Sequence, residues 1–296
     1  MNSFTRIRIF LLVPLVLIIN LLKAQSPDQV PVEKPLTFTG ILVDSSNRGI
    51  AYAGMGIPGK PIGTVTDSSG HFSLDIPSDN LMDSLKISCI GYKTKLVKIQ
   101  DLPKPWNKLN LILATNTTQL LELSVNGSPG SDEQIGRNSD GKLIQLGMFG
   151  KNPKSIVGAE MGLEFNAQRH PAWLKNVNFN ISENNFAHIK FRILLYSLKN
   201  HKPDTLLDQK PVYINVDKKK TGWVYVDLTW ANIILEQDCF VSIQWVENSP
   251  FLAGKDPVFN VPAALSLSHT LYFRGSSQDT WKKMRGNMSF YVTFFD

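Results

Sequence analysis

Apolar and polar residues alternate with a period of two along much of this chain. Turn-forming clusters interrupt the alternation about every 8–12 residues. Leu85, Ile87 and Cys89 alternate with Lys86 and Ser88, and Val177, Phe179 and Ile181 with Asn176, Asn178 and Asn180. Ile189, Phe191, Ile193 and Leu195 alternate with His188, Lys190 and Arg192. Val224, Val226 and Leu228 alternate with Trp223, Tyr225 and Asp227, and Cys239, Val241, Ile243 and Trp245 with Phe240, Ser242 and Gln244. A strand sends successive side chains to opposite faces, so this pattern predicts strands with one buried face each. The fold class expected is all-β: a β-sandwich, then a jelly-roll-like β-sandwich of roughly eight to ten strands. A small outer-membrane barrel competes for the second part, supported by the C-terminal run from Ser289 to Phe295. Against it stand Lys218, Lys219 and Lys220 in a connector and the heavily charged polar faces.

A chain of 296 residues suits two domains, and 43% hydrophobic with 19% charged residues excludes a disordered polyelectrolyte. Residues 1–24 read as a signal peptide. Arg6 and Arg8 precede the apolar run Ile9 to Leu22, whose 14 residues include Pro14 and are too few to span a bilayer, and Ala24 marks the cleavage edge. An uncleaved N-terminal anchor is the alternative. No cysteine lies near residue 24, which excludes a lipid-anchored cysteine. No later apolar run is long enough for a transmembrane helix. The mature chain is therefore expected to be exported, to the periplasm or associated with the outer membrane or cell surface. Arg6, Arg8 and Lys23 supply half of the net charge of +6, so the remainder gives no case for nucleic-acid binding. Residues 25–36 form a Pro-rich linker, 37–114 the first sandwich, 115–152 a second linker around Asn126-Gly127-Ser128-Pro129-Gly130, and 153–296 the second sandwich.

The first sandwich carries a spaced motif. Gly40-Ile41-Leu42-Val43-Asp44 is followed by Gly49-Ile50-Ala51-Tyr52-Ala53, then Gly63-Thr64-Val65-Thr66-Asp67-Ser68-Ser69-Gly70-His71-Phe72-Ser73-Leu74, then Ser88-Cys89-Ile90-Gly91-Tyr92. This stretch resembles the carboxypeptidase-regulatory-like domain (carboxypeptidase D regulatory type), with Ile50 where that family usually has Pro. The resemblance implies a transthyretin-like, seven-stranded sandwich of the kind found at the start of Bacteroidetes outer-membrane receptors and other exported proteins. Leu120 to Gly127 is similar to the short segment that engages an energy-coupling protein in TonB-dependent receptors; an ordinary edge strand is the other reading. The chain is too short for such a receptor's plug and barrel. The second sandwich resembles the uncharacterised C-terminal half of Bacteroidetes proteins carrying this domain, and that likeness assigns no activity.

No catalytic constellation is visible. His71, His170, His188, His201 and His269 make no zinc-peptidase spacing, and there is no nucleophile elbow or phosphate-binding Gly loop. Glu160, Glu164 and His170 are near in sequence, yet read as scattered polar residues rather than metal ligands. No metal or other cofactor is expected. The functional hint is aromatic: Trp223 and Tyr225 share the polar face of one strand, with Tyr196 and Trp230 on or near neighbouring strands. Such rings suit sugars or a protein partner, unless a loop or the first domain covers them. The expectation is a non-enzymatic exported envelope protein with a binding or assembly role, its partner an envelope protein or a glycan. The alternatives are a glycan-binding accessory protein and a hydrolase whose site sequence does not reveal. Cys89 and Cys239 are expected to point into separate cores and stay unpaired.

Overall fold

The computed structural model describes residues 34–116, 132–141, 144–147, 156–167, 170–217, 219–249, 258–267 and 269–295. The signal-peptide and Leu120–Gly127 readings lie outside these residues. No α-helix occurs among them, and no helix is long and apolar enough to cross a membrane.

Seven strands build the N-terminal sandwich: β1 Leu36–Val43, β2 Gly54–Gly56, β3 Gly63–Val65, β4 His71–Ile76, β5 Ser84–Ser88, β6 Lys95–Lys98 and β7 Leu109–Ile112. One sheet has the order β4-β1-β7, with β1 and β7 parallel, and the other β3-β2-β5-β6. The alternation explains the layers. In β4, Phe72, Leu74 and Ile76 are buried while His71, Ser73 and Asp75 are exposed. They meet Phe38, Leu42, Met55, Leu85, Ile87, Leu109 and Leu111 in one core. The turn before β4 is held by Asp67, whose carboxylate accepts the N–H groups of Ser69 at 2.8 Å and His71 at 2.9 Å. Gly70 closes that turn at φ +88°, and a Cβ there would come within 2.6 Å of the Leu42 carbonyl oxygen.

The C-terminal sandwich begins inside the stretch read as a connection. It contains β8 Asp132–Gly136, β9 Ile144–Gly147, β10 Glu160–Phe165, β11 Ala172–Ile181, β12 Glu183–Asn184, β13 His188–Lys199, β14 Lys202–Leu206 and β15 Val212–Asp217. Then follow β16 Gly222–Asp227, β17 Ile234–Leu235, β18 Cys239–Asn248, β19 Phe259–Ala264, β20 Thr270–Arg274, β21 Lys282–Arg285, β22 Asn287–Met288 and β23 Phe290–Phe295. One layer is a seven-stranded sheet in the order β14-β13-β18-β10-β20-β21, with β15 on β13. Facing it are a five-stranded sheet (β16-β11-β23-β8, β17 on β11) and a four-stranded one (β12-β19-β22, β9 on β19). The chain passes from layer to layer between β10, β11, β13, β16, β18, β19, β20 and β23, the wrapping expected of a jelly-roll-like sandwich. The layers meet through Phe179 and Phe191, 5.8 Å apart edge to face, and through Phe259 against Phe191 and Trp245. Sixteen strands form among the described residues, more than the eight to ten expected, and three of them, β12, β17 and β22, have only two residues each. The barrel alternative is overturned: among the described residues the strands form separate sheets around an apolar core.

The expectation of one buried face per strand fails for β13 and β18. Cys239, Val241, Ile243 and Trp245 fill the second core as expected, but Phe240, Ser242 and Gln244 on the opposite face are buried as well. So are Arg192, Leu194 and Tyr196 of β13. The first sandwich covers them. Its Ile90 packs with Leu194, Tyr196, Phe240 and Tyr272, and its Tyr52 and Val65 with Val246. Tyr52 donates to Glu247 at 2.7 Å and accepts from the Lys190 ammonium at 2.8 Å. Residues 275–281, between β20 and β21, press on β2 and β3. Gln278 donates to Ser88 at 2.9 Å and Thr280 to the Gly59 carbonyl at 3.0 Å. This approach needs glycine: a Cβ on Gly63 would overlap the Ser277 carbonyl oxygen.

Candidate functional site

The outer face of the five-stranded sheet holds the strongest arrangement of binding groups. In β16, Val224 and Val226 pack on the core, so Trp223, Tyr225 and Asp227 face away from it. In β11, Val177, Phe179 and Ile181 are in the core, which turns Asn176, Asn178 and Asn180 outward. In β23, Phe290, Val292 and Phe294 point in, leaving Tyr291 and Thr293 on the outer side. Register places these residues in rows. Tyr225 pairs with Asn178, Asn178 with Tyr291, and Tyr291 with Gly136 of β8. The next row runs Asp227, Asn176, Thr293, Gln134. Tyr225 and Tyr291 thus stand two strand spacings apart, about 9.5 Å. Gly136 leaves the far side of Tyr291 without a side chain.

The rings form one cluster. Trp223 lies 5.2 Å from Tyr291, edge to face, and 6.4 Å from Tyr225. Tyr225 is 69% exposed, whereas Trp223 and Tyr291 are half-buried. Burial, assisted by neighbouring Tyr225, pushes the Tyr291 phenol above its ordinary value, so it remains a neutral donor at physiological pH. Asn178 and Asn180 are buried between the strands, and the Asn178 amide donates to the Asn176 carbonyl oxygen. Rings beside amides and hydroxyls can take the apolar face of a planar ligand and the polar groups at its edge.

The four sequence-selected aromatics separate. Trp223 and Tyr225 share this face as expected. Trp230 sits in the short 3-10 turn Thr229–Ala231 that follows β16, 58% exposed, with its indole N–H donated to the Asp227 carbonyl at 3.1 Å. Asp227 sets that turn by accepting Thr229 N–H at 3.0 Å and its hydroxyl at 2.8 Å. Tyr196 does not belong: it is buried between the sandwiches, where Ile90, Phe240 and Trp281 surround it. Tyr291 was missed by sequence reading, because it lies within the aromatic run that also suggested a barrel.

The imagined metal set also disperses. Glu164 binds His201 at 2.9 Å, His170 binds Asp238 at 3.0 Å, and Glu160 is buried beneath Arg274. Among the described residues no three His, Cys, Asp or Glu side chains are grouped to hold a metal ion. Both cysteines are free: Cys239 lies in the second core, where burial pushes its thiol up to about 12, and Cys89 packs at the edge of the first.

Residues 38–125 match the family model of the CarboxypepD_reg-like domain, which covers the seven-stranded sandwich. No curated protein matches the chain. Among solved structures, the major pilin subunit BcpA of Bacillus cereus is similar at 10% identity and a variant of it at 8%. Each comparison covers 86% of this chain and 69% of the pilin, with a TM-score of 0.19.

Proposed function

We propose that this chain is a non-enzymatic, exported cell-envelope protein that binds a glycan on the outer face of its five-stranded sheet. One observation carries the reading: Trp223, Tyr225 and Tyr291 form a contiguous ring cluster, with the accessible amides of Asn176 and Gln134 in the neighbouring row. Pyranose rings present C–H faces to aromatic rings and hydroxyls to amides, and this face offers both at strand spacing. Among the described residues the regulatory-like domain packs on the opposite layer, against β13 and β18, and not on the aromatic face. Binding here needs no catalytic group.

Affinity electrophoresis through gels containing soluble polysaccharides tests this. The native protein is retarded by at least one polysaccharide, and the Trp223→Ala/Tyr225→Ala double variant is not. Each ring contributes about 0.5–1.5 kcal/mol beyond its area burial. Equal retardation of the two proteins, with the variant's melting temperature preserved, would place binding elsewhere. Export is checked by intact mass of protein from the envelope fraction, with processing after Ala24 expected and an unprocessed cytoplasmic chain contradicting it.

A further inference from the structure

A second feature lies on the opposite side of the C-terminal sandwich, where the two sandwiches meet. A cavity of about 170 Å³ is lined from the first sandwich by Lys86, Ser88 and Thr94, and from the second by Arg192, Gln244 and Arg274. Among the described residues its lining includes one acid, the exposed Asp204. Arg192 is 3% exposed, and its Nε and Nη1 have no hydrogen-bond partner. Its Nη2 donates to the neutral Gln244 carbonyl oxygen at 2.5 Å. No carboxylate among the described residues lies within ion-pair distance of it.

The fully buried acid beside the cavity, Glu160, is committed elsewhere. Glu160 accepts two bonds from Arg274, at 3.0 and 2.6 Å, and further bonds from Gln244, Ser242 and Tyr196. Asp279 adds to the field at Arg274; its Oδ1 accepts the Thr280 N–H at 2.7 Å, and its buried Oδ2 has no hydrogen-bond partner. Cys89 and Tyr213 also face the Arg192 guanidinium. Burial raises the pKa of both, and the charge and hydrogen bonding of Arg192 oppose that without reversing it, so both stay neutral partners and neither supplies an anion at neutral pH. Burial, and then the Arg274 charge, holds the Lys86 ammonium below its usual value. A buried guanidinium with free N–H groups is costly unless an anion completes it.

We infer that this inter-sandwich cavity is a binding site for a small oxyanion, held by Arg192 with Arg274 and Lys86. A guanidinium edge offering two N–H groups matches the paired oxygens of a phosphate or carboxylate. Because both sandwiches contribute to the lining, the anion also bridges them and stabilises the docked arrangement by mass action.

The test uses the purified chain with inorganic phosphate, and with acetate in a parallel arm, at constant ionic strength set with sodium chloride. Native protein should broaden the phosphorus NMR line of millimolar phosphate and gain several degrees of melting temperature. In Arg192→Met both effects should vanish. Should that variant not fold, Arg192→Lys and Lys86→Gln serve instead, each expected to weaken phosphate binding about tenfold or more, the loss of one charged hydrogen bond. An effect from acetate alone assigns the site to a carboxylate and keeps the oxyanion chemistry. Binding that persists in Arg192→Met, or native protein indifferent to both anions, overturns the inference.

Discussion

Replacing Glu160 by Gln preserves shape and removes one buried charge, so it isolates what the ion pair does for the interface between sandwiches. Glu160 is fully buried and Arg274 nearly so, joined at 2.6 Å. The Arg274 guanidinium also lies over the Trp281 ring at 4.5 Å and donates to the Tyr196 hydroxyl at 2.9 Å, which fixes it beside Glu160. After the substitution Arg274 and Arg192 would both be buried cations without a carboxylate on Glu160's side. Breaking a buried pair by removing one partner costs about 3–5 kcal/mol. For a folded unit of this size that is a fall of about 6–20 °C in melting temperature. Urea unfolding gives the free energy directly, provided the slope is unchanged between proteins. The paired change Glu160→Met with Arg274→Met should recover most of the loss, since apolar replacement of a buried pair is often neutral. A loss for Glu160→Gln below about 1 kcal/mol, the range of surface pairs, would refute the claim that this buried pair is tightly held.

Other outcomes follow from the same interface. Gly63→Ala sets a Cβ against backbone at Ser277 and should cost about 1–3 kcal/mol in urea unfolding, whereas Gly141→Ala meets only the flexible end of Arg137 and should be near neutral. Thiol titration should find two free cysteines in the denatured, unreduced protein and slow labelling of Cys239 in the folded one. The Tyr52–Glu247–Lys190 contact has a pH signature of defined sign. Hydrogen bonding from Tyr52 holds Glu247 below its ordinary value of 4.5, so its contribution is present above that pH and lost as pH falls through the lowered pKa. The Tyr52 hydroxyl raises Lys190 above 10.5, so its contribution is full below that pH and lost as pH rises through the raised pKa. Melting curves of Glu247→Gln should therefore show a shallower acid limb than the native protein, and an identical limb would argue against the contact.

Much of the fold was legible because alternation reports directly on faces. The inward sets of β11, β13 and β18 lie in the core, and Val224 and Val226 of β16 pack against it. What escaped had no periodic signal. β2 is Gly-Met-Gly, three residues long, and is recognised only through its partners β3 and β5. β8 and β9 are short and half-polar, and become strands because β23 and β19 have free edges to pair with. Alternation also says which residues share a face but not what covers that face. Tyr196 and Tyr225 looked alike as outward aromatics, yet the first sandwich buries one and leaves the other exposed. The apolar Leu194 and Phe240 on supposedly outward faces were the available sign of that cover. Tyr291 stayed hidden because Phe290, Val292, Phe294 and Phe295 around it blur the period. Nothing local in sequence marks Arg192 as buried: its lack of an ionic partner is a property of the assembled interface.

The glycan reading is tested most directly by the indole N–H resonances of the six tryptophans during titration with an oligosaccharide from a retarding polysaccharide. Trp223 belongs to the ring cluster and Trp230 follows the same strand, whereas Trp245 is in the core and Trp281 packs between the sandwiches. The account predicts that Trp223 and Trp230 shift while Trp245, Trp281 and Trp106, which stacks on Phe38 in the first sandwich, do not. Shifts at Trp106 or Trp281 with Trp223 unmoved would contradict it.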